Sequence, residues 1–288
     1  VWNFGEPSSG NLNQSVLTNP NHEYNAVGNG TSTYNVTLIS STSAGCSDTA
    51  LGTVQINQSP NPVLIEPISN FINCGGGNYS MTVFDGTTTT GNINYSIIWG
   101  DGTPNYSSNT FPTNGGVSHS YTSSAVFTLS YIVTGSNGCI DTTTYSVANV
   151  TNPSIGTAIS GSTIGCGPLT LCFPLSNFQL NHPSTIYIVD YGDNSPQETY
   201  PHPPPNTICH TYTTFSCGLP GNGFTMKIKA VNACDSTTAS ISPIRVYSGP
   251  VADFTPVNPK YCVGATVTFT NLTTPGFNSS CQQSTLYQ

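Results

Sequence analysis

The stretch Tyr95-Ser-Ile-Ile-Trp-Gly-Asp-Gly-Thr103, followed by His119-Ser-Tyr121, Phe127-Thr-Leu-Ser-Tyr-Ile-Val133 and Gly138-Cys139-Ile-Asp-Thr-Thr143, decides how this chain is read. An aromatic-Gly-acid turn closes one strand, a His-x-Tyr pair opens another, and a Thr/Val-rich run leads to a cysteine. The same order returns as Tyr187-Ile-Val-Asp-Tyr-Gly-Asp193, His210-Thr-Tyr212, Phe224-Thr-Met-Lys-Ile-Lys-Ala230 and Ala233-Cys234-Asp-Ser-Thr237. A third occurrence starts midway, with Trp2-Asn-Phe-Gly-Glu6, His22-Glu-Tyr24, Tyr34-Asn-Val-Thr-Leu-Ile39 and Gly45-Cys46-Ser-Asp-Thr-Ala50. Repetition at a fixed period makes each copy one structural unit.

Three markers give the period. Gly5, Gly100 and Gly192 lie 95 and 92 residues apart, Cys46, Cys139 and Cys234 lie 93 and 95 apart, and Cys74, Cys166 and Cys262 lie 92 and 96 apart. Copies two and three carry a half-domain upstream of the turn. Copy one lacks it, while residues 250–288 form such a half with nothing after it. Were an identical copy to follow Gln288, the markers would recur after 101, 100 and 100 residues. The joined seam, Thr-Leu-Tyr287-Gln288 into Val1-Trp2-Asn-Phe-Gly, reads as the missing strand, with Tyr287 one position off Tyr95 and Tyr187. The chain begins Val-Trp-Asn-Phe, without an initiator Met or a signal segment, as expected of a processed product or a piece of a longer chain. The expectation is one unit of a tandem array, cut inside a domain. Residues 1–58 are then a C-terminal half, 59–150 and 151–249 complete domains (the latter with a Cys-rich insertion), and 250–288 an N-terminal half completed by the next unit.

Composition narrows the function. Only 6% of the 288 residues are charged, with four Lys+Arg against twelve Asp+Glu, against about a quarter in an ordinary soluble domain. The chain holds 41 Thr, 35 Ser and 30 Asn, so its polar surface is hydroxyl and amide. Four basic residues cannot neutralise a phosphate backbone, which excludes nucleic-acid partners. No apolar run approaches the roughly 18 residues of a membrane span. Ten cysteines without C-x-x-C or Cys/His metal spacing point to an oxidising compartment.

Each copy is all-β by pattern. Val126-Phe-Thr-Leu-Ser-Tyr-Ile-Val133 and Ala265-Thr-Val-Thr-Phe-Thr270 alternate apolar and hydroxyl residues, the signature of a strand with one buried face. Asn-Gly, Asp-Gly and Gly-Pro pairs supply the turns. About seven short strands per domain, with turns every 8–12 residues or so, is the profile of an Ig-like β-sandwich. The joints Ser59-Pro-Asn-Pro62, Asn149-Val-Thr-Asn-Pro153 and Ser248-Gly-Pro-Val251 are short and proline-bearing, so an elongated rod is expected.

The run aromatic-x-Gly-acid, His-x-Tyr and a Thr/Val-rich strand leading to Gly-Cys resembles the PKD (polycystic kidney disease) domain over the whole chain. Trp2, Phe4, Gly5 and His22, then Trp99, Gly100, Asp101 and His119, then Tyr191, Gly192, Asp193 and His210 are the matching positions. Glu6 replaces the usual Asp in the first copy, and Ile97 or Val189 stands where that copy has Trp2. Cysteine-bearing, Thr/Asn-rich arrays of such domains are similar to giant cell-surface adhesins of gliding Bacteroidota (the SprB-like type), secreted by the type IX pathway. That resemblance implies a non-enzymatic, load-bearing or adhesive role at the bacterial cell surface, with identical repeat units as partners. The triplets Asp48-Thr49-Ala50, Asp141-Thr142-Thr143 and Asp235-Ser236-Thr237 resemble a Bacteroidota O-glycosylation acceptor, which implies sugars on Thr49, Thr142 and Ser236. Asx-type hydrogen bonding within a turn is the plain alternative.

Residues that could carry chemistry are few. His22, His119 and His210 share one repeat position, so a structural bond to the acidic turn residue accounts for all three. A nucleophile would need a base and an orienter within reach, and no such motif is visible. Glu6, Asp101 and Asp193 could offer oxygen to Ca²⁺, but one acid per domain falls short of the usual several, so no cofactor is expected. His202 lies in Pro201-His-Pro-Pro-Pro205, an insertion loop. Tyr106, Tyr200 and Phe111, if exposed and coplanar, would suit a carbohydrate- or surface-binding module accessory to a secreted enzyme. Repeat register pairs Cys74 with Cys139 and Cys166 with Cys234 within domains, and Cys262 of one unit with Cys46 of the next. Cys172, Cys209, Cys217 and Cys281 remain, with three possible pairings, Cys172–Cys209 among them.

Overall fold

Thr and Val in alternation form strands in this chain wherever a partner strand exists to take up the backbone groups. The computed structural model describes residues 1–159, 161–257 and 260–284. The seam residue Tyr287 lies outside them. The chain divides into two units, Val1–Asn149 and Val150–Gln288.

In the first unit, Ala125–Gly135 pairs on one side with Ile140–Asn149 and on the other with Asn92–Ile98. Tyr106–Ser108 and Ile72–Asn73 complete a five-stranded sheet. A three-stranded sheet of Val117–Tyr121, Tyr79–Asp85 and Leu64–Ile65 contributes the other half of the core. Every second residue of the central strand (Phe127, Leu129, Tyr131, Val133) is buried, and these meet Val83, Ile97 and Tyr121. Full burial of each such side chain contributes about 1.5–3 kcal/mol. The second unit repeats this order. Its five-stranded sheet holds Ile164–Cys166, Ser236–Tyr247, Phe224–Val231, Ile186–Asp190 and Glu198–Pro201, and its three-stranded sheet Gly156–Thr157, Leu169–Ser176 and Thr207–Tyr212. Phe173, Tyr187, Met226 and Ile228 centre its core. The all-β sandwich expected from the alternation is what forms.

The chain's two ends form smaller sheets of their own. Trp2–Asn3 pairs with Gln14–Ser15 and Thr31–Ser41, and the latter with Ser47–Asn57, giving a four-stranded sheet. Its last strand is almost wholly exposed. His22-Glu23-Tyr24, the counterpart of Val117–Tyr121, lies outside any strand. At the other end Phe254–Pro256 pairs with Phe269–Asn271, as Leu64–Ile65 pairs with Asp85 and Phe84, but both phenylalanines are exposed.

The cysteine pairing read from repeat register needs correction. Ile72–Asn73 runs parallel to the last strand of its domain, with Asn73 opposite Asn149. Cys74 therefore lies at the strand's far end from Cys139, roughly 35 Å away along eleven residues. A disulfide needs Cα atoms within about 7 Å. Cys166, opposite Tyr247, is likewise at the far end from Cys234. The thiols of Cys139 and Cys166 are free, so neither Cys74–Cys139 nor Cys166–Cys234 forms; Cys46 and Cys262 are free as well. Cys74 and Cys234 are disulfide-bonded. Cys172–Cys209 joins residues directly opposed on paired strands, and Cys217–Cys281 ties the insertion to residues 250–284.

The aromatic-Gly-acid turn places Gly100 at φ 83°, where an added Cβ would lie 2.2 Å from the Thr128 carbonyl oxygen. Gly100→Ala is expected to cost about 2–4 kcal/mol in urea unfolding followed by Trp99 fluorescence. Gly102→Ala, also at positive φ but facing open space, should cost only about 1 kcal/mol. Equal losses would remove the close approach as the cause.

Candidate functional site

A side-chain constellation present in all three copies is built on that turn. His119 comes from the three-stranded sheet and Trp99 from just past the end of Asn92–Ile98. The imidazole lies flat on the indole with centroids 4.2 Å apart and planes 8° from parallel. His210 stacks in the same way on Tyr191 at 3.9 Å, and His22 on Phe4 at 4.3 Å. Each Nε2 reaches the turn carboxylate: 2.8 Å to Asp101 Oδ2, 2.8 Å to Asp193 Oδ2 and 2.9 Å to Glu6 Oε2. An ionised carboxylate only accepts, so Nε2 donates. Two residues on, Tyr121 donates to the Trp99 carbonyl at 2.9 Å, Tyr212 to Tyr191 at 3.2 Å, and Tyr24 to Phe4 at 3.1 Å. One His-x-Tyr strand thus closes the turn twice, through imidazole and phenol.

The remaining carboxylate oxygens are also taken. Asp101 Oδ1 accepts from the Thr103 N–H and hydroxyl, Asp193 Oδ1 from Ser195 in the same two ways, and Glu6 Oε1 from the Asn25 N–H. Burial by itself would raise the Asp101 and Asp193 pKa values. The hydrogen bonds from Thr103 or Ser195, then from the histidine, outweigh burial and hold both below the usual carboxylate range. With its oxygens occupied by internal donors, the turn is a clamp and offers little to a cation. Among the described residues no three His, Cys, Asp or Glu side chains gather as a metal set.

The other sequence candidates fall apart from this clamp. Phe111 is buried in the core, and Tyr106 packs against it edge-on at 62°, so these rings form no coplanar strip. Tyr200 packs on the second core and donates to Glu198. The His202 ring is turned back onto Tyr187, with Nδ1 3.0 Å from its hydroxyl. Asp48, Asp141 and Asp235 each accept the N–H of the following residue, Thr49, Thr142 or Ser236. The Thr49 and Thr142 side chains are exposed. Sequence reasoning missed Glu66, whose buried carboxylate gathers the N–H groups of Ile68, Ser69 and Phe71. It also missed Asn137 and Asn232, each two residues before a late cysteine. Asn137 donates to the Gln58 carbonyl at 2.7 Å and Asn232 to the Thr151 carbonyl at 2.8 Å, fixing the turn onto the segment that enters each domain. The recurring Asn-x-Cys spacing was the available signal.

No protein-family profile matches the chain, and no curated protein sequence does. Solved structures do align with it, at low similarity. The FN1–FN3 domains of chicken CNTN1 align over 74% of this chain and 76% of their own, at 8% identity and a TM-score of 0.32. The amphioxus IgVJ-C2 molecule aligns over 60% of this chain and 99% of its own, at 14% identity and a TM-score of 0.29. A 1.5-MDa bacterial ice-binding adhesin aligns over 74% of each chain, at 10% identity and a TM-score of 0.25. Among the described residues no helix is long and apolar enough to cross a membrane.

The depressed carboxylates make a pH dependence. A group whose folded pKa lies below its unfolded value of about 3.9 stabilises fully above that pH, and its contribution is lost as pH falls through the folded value. Asp101→Asn is therefore expected to destabilise by about 1–3 kcal/mol at pH 7. The gap to the unsubstituted protein should narrow when the pH is brought well below that unfolded value. Urea midpoints at both pH values test this, and a gap that persists at low pH rules out the carboxylate charge as its source.

Proposed function

We propose that this chain is a structural and adhesive repeat unit of a long extracellular filament or stalk, made of identical copies in tandem. The observation that carries the proposal is the complementarity of the two half-sandwiches. Trp2, Phe4, His22, Tyr24, Val36 and Val54 line an open groove of about 350 Å³. In the complete domain, Tyr121 at the Tyr24 position pairs with the strand Tyr79–Asp85 and stacks on Tyr79. Phe269–Asn271 is the counterpart of that strand, and residues 1–58 hold no copy of it. Its partner in turn, His22-x-Tyr24, has no counterpart in 250–284. Bringing the two together covers Phe254 and Phe269, each now more than half exposed, at the positions of the buried Leu64 and Val83 in the complete domain. Each such side chain contributes about 2 kcal/mol on burial.

The disulfides support an oxidising, extracellular setting for this reading. The internal clamp, with every carboxylate oxygen occupied, supports a non-enzymatic role. The PKD-type resemblance and that to gliding adhesins extend the reading to a bacterial surface and to gliding motility, with O-linked sugars at Thr49, Thr142 and Ser236. Burial of Phe111 and the inward packing of Tyr106 and Tyr200 weigh against the carbohydrate-binding alternative.

Hydrogen exchange on one copy and on two copies fused head to tail tests the tandem reading. Amides of one 31–57 segment and one 266–271 segment are expected to gain protection only in the fusion. Identical exchange in both proteins would overturn it.

A further inference from the structure

We infer that the four free cysteines form two disulfides between successive copies, each bridging a joint between neighbouring domains. The inference rests on the tandem reading above and adds to it the pairing: Cys262 of one copy with Cys139 of the next, and Cys166 of one copy with Cys46 of the next.

Three residues mark the exit of each domain. Asn57 and Tyr247 end a last strand, Val150 directly follows one, and each precedes a proline by three positions, Pro60, Pro153 and Pro250. The early cysteine sits beside this exit, on the edge strand of its own domain: Cys166 stands opposite Tyr247 in the parallel ladder. Cys74 follows Asn73, which stands opposite Asn149. The late cysteine sits at the other pole, over the exit of the domain before. Cys139 Sγ lies 3.9 Å from the Asn57 carbonyl oxygen, and Cys234 Sγ lies 3.7 Å from that of Val150. Asn137 and Asn232 hold the two late cysteines there by the same pair of bonds, accepting the cysteine N–H and donating to the carbonyl one residue past the exit. An exit residue is thus approached by the early cysteine of the domain it closes, as Cys166 at Tyr247, and by the late cysteine of the domain that follows, as Cys139 at Asn57. Cys74 and Cys234, one of each kind, are already oxidised.

The rule applied to the remaining thiols leaves none over. At Asn57 the late cysteine, Cys139, is in place, and the edge strand that would bring an early cysteine is missing from residues 1–58. Its sequence counterpart is Lys260-Tyr261-Cys262 of the preceding copy, a segment that is in no strand in the single chain. At Tyr247 the early cysteine, Cys166, is in place, and the late one is Cys46 of the following copy. This joint lacks the asparagine clamp, because Ala44 stands where Asn137 and Asn232 stand in the other copies. It has a substitute: Cys217–Cys281 and the stacking of Phe215 on Phe277, centroids 5.7 Å apart, already tie the second complete domain to the half that follows. Each new bridge forms by transfer of two thiol protons and two electrons to an exchangeable disulfide, such as oxidised glutathione, which leaves as two thiols.

Thiol counting on the head-to-tail fusion, refolded with oxidised glutathione, tests the pairing. One copy exposes four thiols to maleimide, so two unlinked copies expose eight. The inference requires four, with disulfide-linked peptides joining Cys262 to Cys139 and Cys166 to Cys46. Cys139→Ser in the second copy should raise the count by one and leave the Cys166–Cys46 peptide intact. Six thiols with a Cys262–Cys46 peptide would overturn the inference in favour of a bridge inside the completed domain. Eight thiols would overturn it too. If the half-sandwich amides are protected in that protein, the tandem reading stands alone; if they are not, both fall.

Discussion

The structure depends on a backbone conformation that only glycine takes without strain, held closed by one short strand. At Gly5, Gly100 and Gly192 the chain passes so near the neighbouring strand that a Cβ would meet a carbonyl oxygen at 2.2–2.4 Å. That approach seats the aromatic residue before the glycine in the core and swings the acid after it toward the opposite sheet. His-x-Tyr then binds both: the imidazole lies on the aromatic ring and donates to the acid, and the phenol caps the aromatic residue's carbonyl. The clamp joins the two sheets without a charge exposed to water, in a protein that has few charges to use. It persists in residues 1–58, where the covering sheet is absent, with Nε2 of His22 still 2.9 Å from Glu6. The clamp is therefore a local property of the repeat that does not require the covering sheet.

Away from the clamp, the surface replaces ion pairs with hydroxyl ladders. Ser80 meets Ser120 at 2.7 Å, Thr82 meets Ser118 at 2.9 Å, and Thr170 meets Thr211 at 2.8 Å, all across paired strands. Cross-strand pairs of this kind contribute roughly 0.2–1 kcal/mol each. They require no partner of opposite sign and are indifferent to salt, unlike surface ion pairs. A Thr/Ser/Asn-rich chain obtains strand propensity, solubility and cross-strand bonding from the same residues, which explains why helices are nearly absent.

What could be read from the sequence was whatever is local and periodic. Alternation in Val126–Val133 marked a strand with one buried face, and the repeat itself marked the aromatic-Gly-acid turn and His-x-Tyr as one motif. What could not be read was pairing direction. Register alone placed Cys74 beside Cys139, because both belong to edge and last strands that do neighbour each other. The strands run parallel, so neighbouring strands carry their cysteines at opposite poles. Periodicity of two fixes which face a side chain occupies and is silent on which way the partner runs. Phe111 shows a similar limit. Between Thr110 and Pro112, in a polar loop, it reads as an exposed ring, and only the fold turns it into the core. Glu66 was invisible because a single acid before a proline carries no pattern; its role comes from three N–H groups that the turn happens to aim at it.

The parallel edge strand also decides where covalent reinforcement is most useful. A disulfide inside a sandwich this well clamped would restrain a domain that the core and the His–acid pair already hold. The joints are held by less: after Asn57, amide bonds from Asn137 to the Gly30 and Gln58 carbonyls and from Asn29 to Asn92, worth about 1 kcal/mol each, and a short proline-bearing segment. At the joint after Tyr247 even the asparagine is gone, and the Cys-rich insertion stands in for it through Cys217–Cys281. A parallel edge strand carries its cysteine to the exit pole, while the last hairpin of the next domain carries its own to the entry pole. Nothing but the direction of one short strand is needed to move the cross-link from the interior of a domain to its boundary. In a chain of domains the boundary is where bending and shear concentrate, so cross-links placed there, as inferred for successive copies, would stiffen the points that non-covalent contacts leave weakest.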